Sequence, residues 1–208
     1  MILHKHLAVS FSLAKTVGGH AISSIGLAAL MRGEIGAKKL IHLGPPPALV
    51  GSLTNNAEEA KKVFEANADY TIAARKAISE FDAFVETNFD DPSDIFSLPP
   101  MLVLYDFDRD FALLRSLGET AGIDAFPNLP DFGQSIPSAM NAVVEFERHS
   151  GWINYKSEKA IRDSLHCRGG IVCEDDVLDE AVRMAEVMKK VCAGSTRVLK
   201  SLYGIEEQ

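Results

Sequence analysis

Between Leu7 and Leu13 the apolar residues Leu7, Val9, Phe11 and Leu13 alternate with small or polar ones, the period of a half-buried β-strand. Gly18-Gly19 breaks that run. In His20–Met31, Ile22, Ile25, Ala29 and Leu30 recur near one helical face, with Arg32 in the last turn and Gly33 as a stop, so the pattern predicts a helix. Lys39–Leu43 reads as a second strand, Gly44-Pro45-Pro46-Pro47 as a turn that no ladder interior tolerates, and Ala48–Leu53 as a third strand. A capping-box-like Asn56 and Glu59 precede Ala60, Val63, Phe64 and Ala68, the apolar stripe of a helix running towards Ile78. Ala83–Thr87 closes the first half as another strand.

Asn88–Pro100 is rich in Pro and Asp and reads as a boundary. Beyond it come a short apolar strand at Met101–Tyr105 and a helix at Arg109–Leu117. Gly122–Pro137 reads as a loop, Pro137 opens a helix through Glu147, and Trp152–Tyr155 and Gly170–Cys173 read as strands. A long amphipathic helix, Val177–Cys192, ends the second half with Leu178, Ala181, Val182, Ala185 and Met188 on one face.

The two halves end alike. Ile41-His42-Leu43, a turn, Ala48-Leu49-Val50, a polar cap and Glu59-Ala60 are matched in order by Leu165-His166-Cys167, Arg168-Gly169-Gly170, Ile171-Val172-Cys173, Asp175-Asp176 and Glu180-Ala181. Val50 and Ile171, like Ala60 and Ala181, stand 121 positions apart. The expectation is an α+β or α/β chain of two related βαββα-type units in tandem, residues 1–90 and 91–208, the second carrying an insertion around 106–151.

This arrangement resembles the tandem-domain shell proteins of bacterial microcompartments, on the stretches Lys39–Ala68 and Leu165–Val191. The resemblance implies a structural protein without catalytic residues or cofactor, a homotrimeric, pseudo-hexagonal tile that associates with itself and with other shell subunits. It assigns the lining of a central metabolite pore to Gly44, Pro45, Pro46 and Pro47 in one turn and Arg168, Gly169 and Gly170 in the other. Three copies of Arg168 would form a cationic ring favouring anionic metabolites.

A second constellation points to different chemistry. Met101–Asp110 (MLVLYDFDRD) resembles the first motif of haloacid-dehalogenase-like phosphatases, which implies Asp106 as nucleophile, Asp108 as acid/base and Mg2+ on the phosphate, with Asp175 and Asp179 beside the metal and Lys156 or Lys159 on the phosphate. The plainer reading makes Asp106 and Asp108 solvated acids that cap the following helix. The alternation of Asp106, Asp108 and Asp110 is not a calcium loop, since Phe111 stands where the sharp turn needs Gly.

Composition narrows the classes. The 208 residues are 47% hydrophobic and 24% charged, a globular balance. A compact chain of that length hides about 70% of its unfolded surface. With 29 acidic against 21 basic residues the net charge is −8, which disfavours nucleic acid and anionic membranes as partners. No apolar run is long enough to span a bilayer and no signal peptide is evident, so the expectation is cytoplasmic. Cys167, Cys173 and Cys192 form no C-x-x-C pair and read as inert thiols; neither zinc nor a His166–Cys167 pair is expected.

Overall fold

The structure is a computed structural model that describes residues 5–16, 19–44, 57–89, 99–123, 128–149 and 171–202. The alternation around Leu7–Leu13 belongs to a longer strand, β1 (Lys5–Thr16), and its hairpin partner is the segment whose pattern predicts a helix, β2 (Gly19–Met31). The two pair antiparallel from Lys5↔Met31 to Thr16↔Gly19, with a register shift at Ser12/Leu13. The misreading has a physical cause. Every residue from Ser24 to Leu30 is buried, because β2 is covered on both faces, and a strand of that kind shows no period-2 alternation.

Arg32 and Gly33 both have positive φ, 53° and 81°, the signature of a two-residue type I′ turn, and lead into β3 (Glu34–His42). Gly33 therefore turns a hairpin; it stops no helix. Helix α1 (Ala57–Phe89) runs without a break through Ala83–Thr87, where the pattern predicts a strand. Phe81, Phe84 and Val85 are buried on its inner face together with Tyr70, Ala74, Ala77 and Ile78, so the helical period wins over local β-propensity. Strand β4 (Met101–Leu104) and helix α2 (Phe107–Thr120) follow as expected. The stretch read as loop, Gly122–Pro137, holds a short strand, β5 (Gly133–Ser135), and the start of α3 (Ile136–His149). A 3-10 turn, Glu174–Asp176, leads into α4 (Val177–Leu202). Of the strand expected at Gly170–Cys173, Ile171 makes only an isolated parallel bridge to Phe11. The strands expected at Ala48–Leu53 and Trp152–Tyr155 lie outside the described residues.

The five described strands make one mixed sheet in the order β3-β2-β1-β4-β5. Strand β4 lies parallel to β1 (Leu7↔Leu102) and β5 parallel to β4 (Leu102↔Gly133). Strands on either side of Asn88–Pro100 thus share a sheet, and the described elements up to Phe89 run β-β-β-α, where the sequence predicts βαββα. Leu7, Val9, Phe11, Ile25, Leu27 and Ile41 pack with α1 and α2 on one face. On the other, Ala8, Ala28, Leu30 and Val103 pack with α3 and α4. Polar residues enter that second face where α4 begins. Ser10 donates its hydroxyl to the Val177 carbonyl, and Ser12 bonds to both Ser23 and Ser24. None of the described helices is long and apolar enough to cross a membrane.

Candidate functional site

In open α/β sheets, ligands bind outside the carboxyl ends of the strands where the strand order reverses. Here that point lies between β1 and β4, because the chain leaves β1 towards β2 on one side and leaves β4 towards β5 on the other. The residues around it come from four segments. β4 ends in Leu104 and passes through Tyr105 and Asp106 into α2, which carries Arg109, Ala112 and Leu113 along one side. The β1–β2 hairpin contributes Leu13 and His20. Ile171, held against β1 because the Val172 amide donates to the Phe11 carbonyl at 3.3 Å, contributes a fourth wall.

These six residues line an open cleft of about 700 Å³. Leu13, Ala112, Leu113 and Ile171 make it mainly apolar; the polar groups are the His20 imidazole and the Arg109 guanidinium. The volume falls within the ~300–1,000 Å³ typical of small-molecule sites. Next to it, with His20 and Leu113 lining both, a smaller recess of about 60 Å³ is lined also by Tyr70 on α1 and by Ser116 and Thr120 on α2.

The acidic residues at the β4–α2 junction are built into the turn. Asp106 is the N-cap of α2, its Oδ1 accepting the Arg109 amide at 3.3 Å. The Asp106 amide donates in turn to Asp110 Oδ2 at 3.0 Å. Asp110 is 1% exposed, and its Oδ1 takes the Arg109 Nε and Nη2 groups at 2.7 and 2.6 Å. The bonded carboxylate of Asp110 raises the Arg109 pKa still further, so the guanidinium is permanently charged and fixed in orientation at the cleft edge. Asp106 and Asp108 are exposed. The capping role read from the sequence for Asp106 is what its carboxylate does.

Asp175 lies in the 3-10 turn and Asp179 in the first turn of α4, both exposed. The neighbouring Glu174 bonds to His42 across 3.2 Å at the end of β3. Among the described residues no three His, Cys, Asp or Glu side chains converge to hold a metal ion, so Asp106, Asp108, Asp175 and Asp179 are not gathered into one group. Of the predicted pore turns, Gly44 is described and has φ +87°, a conformation that favours glycine. Pro45, Pro46, Pro47, Arg168, Gly169 and Gly170 lie outside the described residues, as do Lys156, Lys159, His166 and Cys167. Cys192 is buried, which pushes its thiol pKa up and keeps it inert; Cys173, also read as an inert thiol, is exposed.

Sequence reasoning missed the cleft residues Leu13, His20, Ala112, Leu113 and Ile171. Only the i, i+4 spacing of Asp106 and Asp110 around a helix start carried a local signal of this junction. No protein-family model matches the chain, and no curated protein is similar to it.

Proposed function

We propose that this chain is a binding protein that takes a predominantly apolar small molecule in the cleft between the β1–β2 hairpin and α2. The observation that carries the reading is the cleft itself, about 700 Å³ and lined by four apolar residues, at the carboxyl ends of the parallel pair β1 and β4. Burying a ligand there removes apolar surface from water on both partners, worth roughly 25 cal/mol per Å² before the entropic cost of association. The charge around the cleft suits a neutral ligand better than an anion, because Arg109 is already matched by Asp110 and the chain carries a net −8.

A homotrimeric tile and a magnesium-dependent phosphatase remain readings of the sequence. Of the turns the tile requires only Gly44 is described, and the phosphatase requires as nucleophile a carboxylate that the fold uses to cap α2. The cleft reading is tested by titrating the full chain with the neutral, solvatochromic dye Nile red. Saturable fluorescence enhancement is expected for the wild type, weakened about tenfold or more in Leu113→Asp, which sets a charge in the apolar wall. Ala112→Trp, a bulky change at an exposed helix position, fills the cleft and is expected to block the dye while leaving the fold intact. Absence of binding, or binding indifferent to both substitutions, would sink the proposal.

A further inference from the structure

The recess next to the cleft differs from it in chemistry. Its polar groups are the hydroxyls of Tyr70, Ser116 and Thr120, with His20 at the junction. At about 60 Å³ it exceeds the ~10–15 Å³ needed to hold one water, and accommodates one small functional group of a ligand whose body fills the cleft.

The hydrogens of two of these hydroxyls are already spent. Tyr70, 6% exposed, donates to the Ile22 carbonyl on β2 at 2.8 Å. Thr120 donates to the Ser116 carbonyl one turn back along α2 at 2.9 Å. A hydroxyl that donates to a backbone carbonyl presents only its lone pairs to anything beside it. Burial pushes the Tyr70 hydroxyl pKa up to about 12, against the opposing pull of the Ile22 bond, so it stays protonated and in that role at any physiological pH. The Ser116 hydroxyl can act as donor or acceptor, so it fixes no polarity. The fixed polarity of the recess is thus that of an acceptor. A carboxylate placed there would set its lone pairs against those of Tyr70 and Thr120; the Thr120 oxygen is exposed and keeps water, but the buried Tyr70 oxygen would face another acceptor, the costly outcome for a polar group.

We infer that the ligand is amphipathic with a hydrogen-bond-donating head, a hydroxyl or amine on an apolar body, and that Tyr70 and Thr120 select for that head. This rests on the cleft reading above and deepens it. The test is displacement of Nile red from the full chain by two neutral probes with the same alkyl body, 1-octanol, which donates, and 1-methoxyoctane, which only accepts. The expected result is that 1-octanol displaces the dye at about five- to tenfold lower concentration, the worth of roughly one hydrogen bond. Tyr70→Phe is expected to erase most of that preference and Thr120→Val part of it, with dye binding itself retained. Thr120 is exposed, so its variant keeps the test valid should Tyr70→Phe unfold for lack of a donor to Ile22. Equal displacement by alcohol and ether in the wild type, with the dye still bound, would overturn the donor-head inference and leave the cleft standing; no dye binding would overturn both.

Discussion

The Val177 carbonyl at the start of α4 passes so close to Gly26 of β2 that a Cβ built on that glycine would lie 2.5 Å from the oxygen. Ser10, the register partner of Gly26 on β1, donates its hydroxyl to the same carbonyl. The helix start is therefore docked on two adjacent small residues of the sheet. Gly26→Ala is expected to destabilise the fold by about 1–3 kcal/mol, since the atoms it strikes are backbone and cannot rotate away. Gly36→Ala, on β3, the outermost of the described strands on its side, has nothing nearer than 4.0 Å and is expected to change stability by less than ~0.5 kcal/mol. Urea unfolding of the two variants compares them directly; equal costs would mean the close approach is not a constraint.

Lys5, at the beginning of β1, is 9% exposed and donates its ammonium to the carbonyl of Phe89, the last residue of α1, at 3.1 Å. A cation at a helix carboxyl end meets both an orphan carbonyl and the negative pole of the helix. Lys5→Met keeps the aliphatic stem and removes the charge. A loss of about 1–3 kcal/mol in the urea unfolding free energy is expected, with fraying of the last turn of α1 visible as faster amide exchange there. An unchanged exchange rate would show that the cap does not hold the helix end.

On α1, Asp82 accepts the Asn128 amide at 3.1 Å and Glu86 accepts the Asn128 side-chain amide at 3.2 Å, tying the residues before β5 to the helix. Desolvation by burial raises the Asp82 pKa above 3.8, outweighing the Asn128 bond that lowers it, and the nearby Glu86 charge adds to the rise. The folded chain then binds this proton more tightly than the unfolded one. Its stabilising contribution is complete below about 3.8 and is lost as pH rises through the higher folded value. Asp82→Asn keeps an acceptor for Asn128 and cannot ionise, so its stability relative to wild type is expected to improve as pH rises through that acidic window and to level off towards neutrality. Thermal unfolding from pH 3 to pH 7 measures it; a difference independent of pH contradicts the assignment.

At the candidate site, Asp106 caps α2 through the Arg109 amide. Asp106→Asn preserves a good cap and is expected to be neutral within ~0.5 kcal/mol, whereas Asp106→Ala is expected to cost about 1 kcal/mol. If both variants matched wild type, the carboxylate would not be holding the turn.

Strand β4 and helix α2 were legible because Met101–Leu104 is a short apolar run followed by Asp106 at a helix start, a local code read over ten residues. Strand β2 was not, because its second buried face exists only once α4 and α1 have packed around the sheet. The site suffers from the same non-locality. Leu13, Leu113 and Ile171 are brought to one cleft by the pairing of β1 with β4 and the bridge from Phe11 to Ile171, contacts between segments far apart in the chain that leave no period or spacing behind. The Gly and Pro signal of Gly44–Pro47, by contrast, is local and conspicuous in the sequence, but such a signal predicts a turn and carries no information about what the turn meets.

The cleft between the hairpin and α2 is the proposed ligand site of this protein. It is tested most directly by amide chemical-shift mapping of the isotope-labelled full chain during titration with Nile red. Saturable shifts concentrated at Leu13, His20, Ala112, Leu113 and Ile171 are the predicted result. Saturable shifts centred on any other surface, or none as the dye is added, would contradict it.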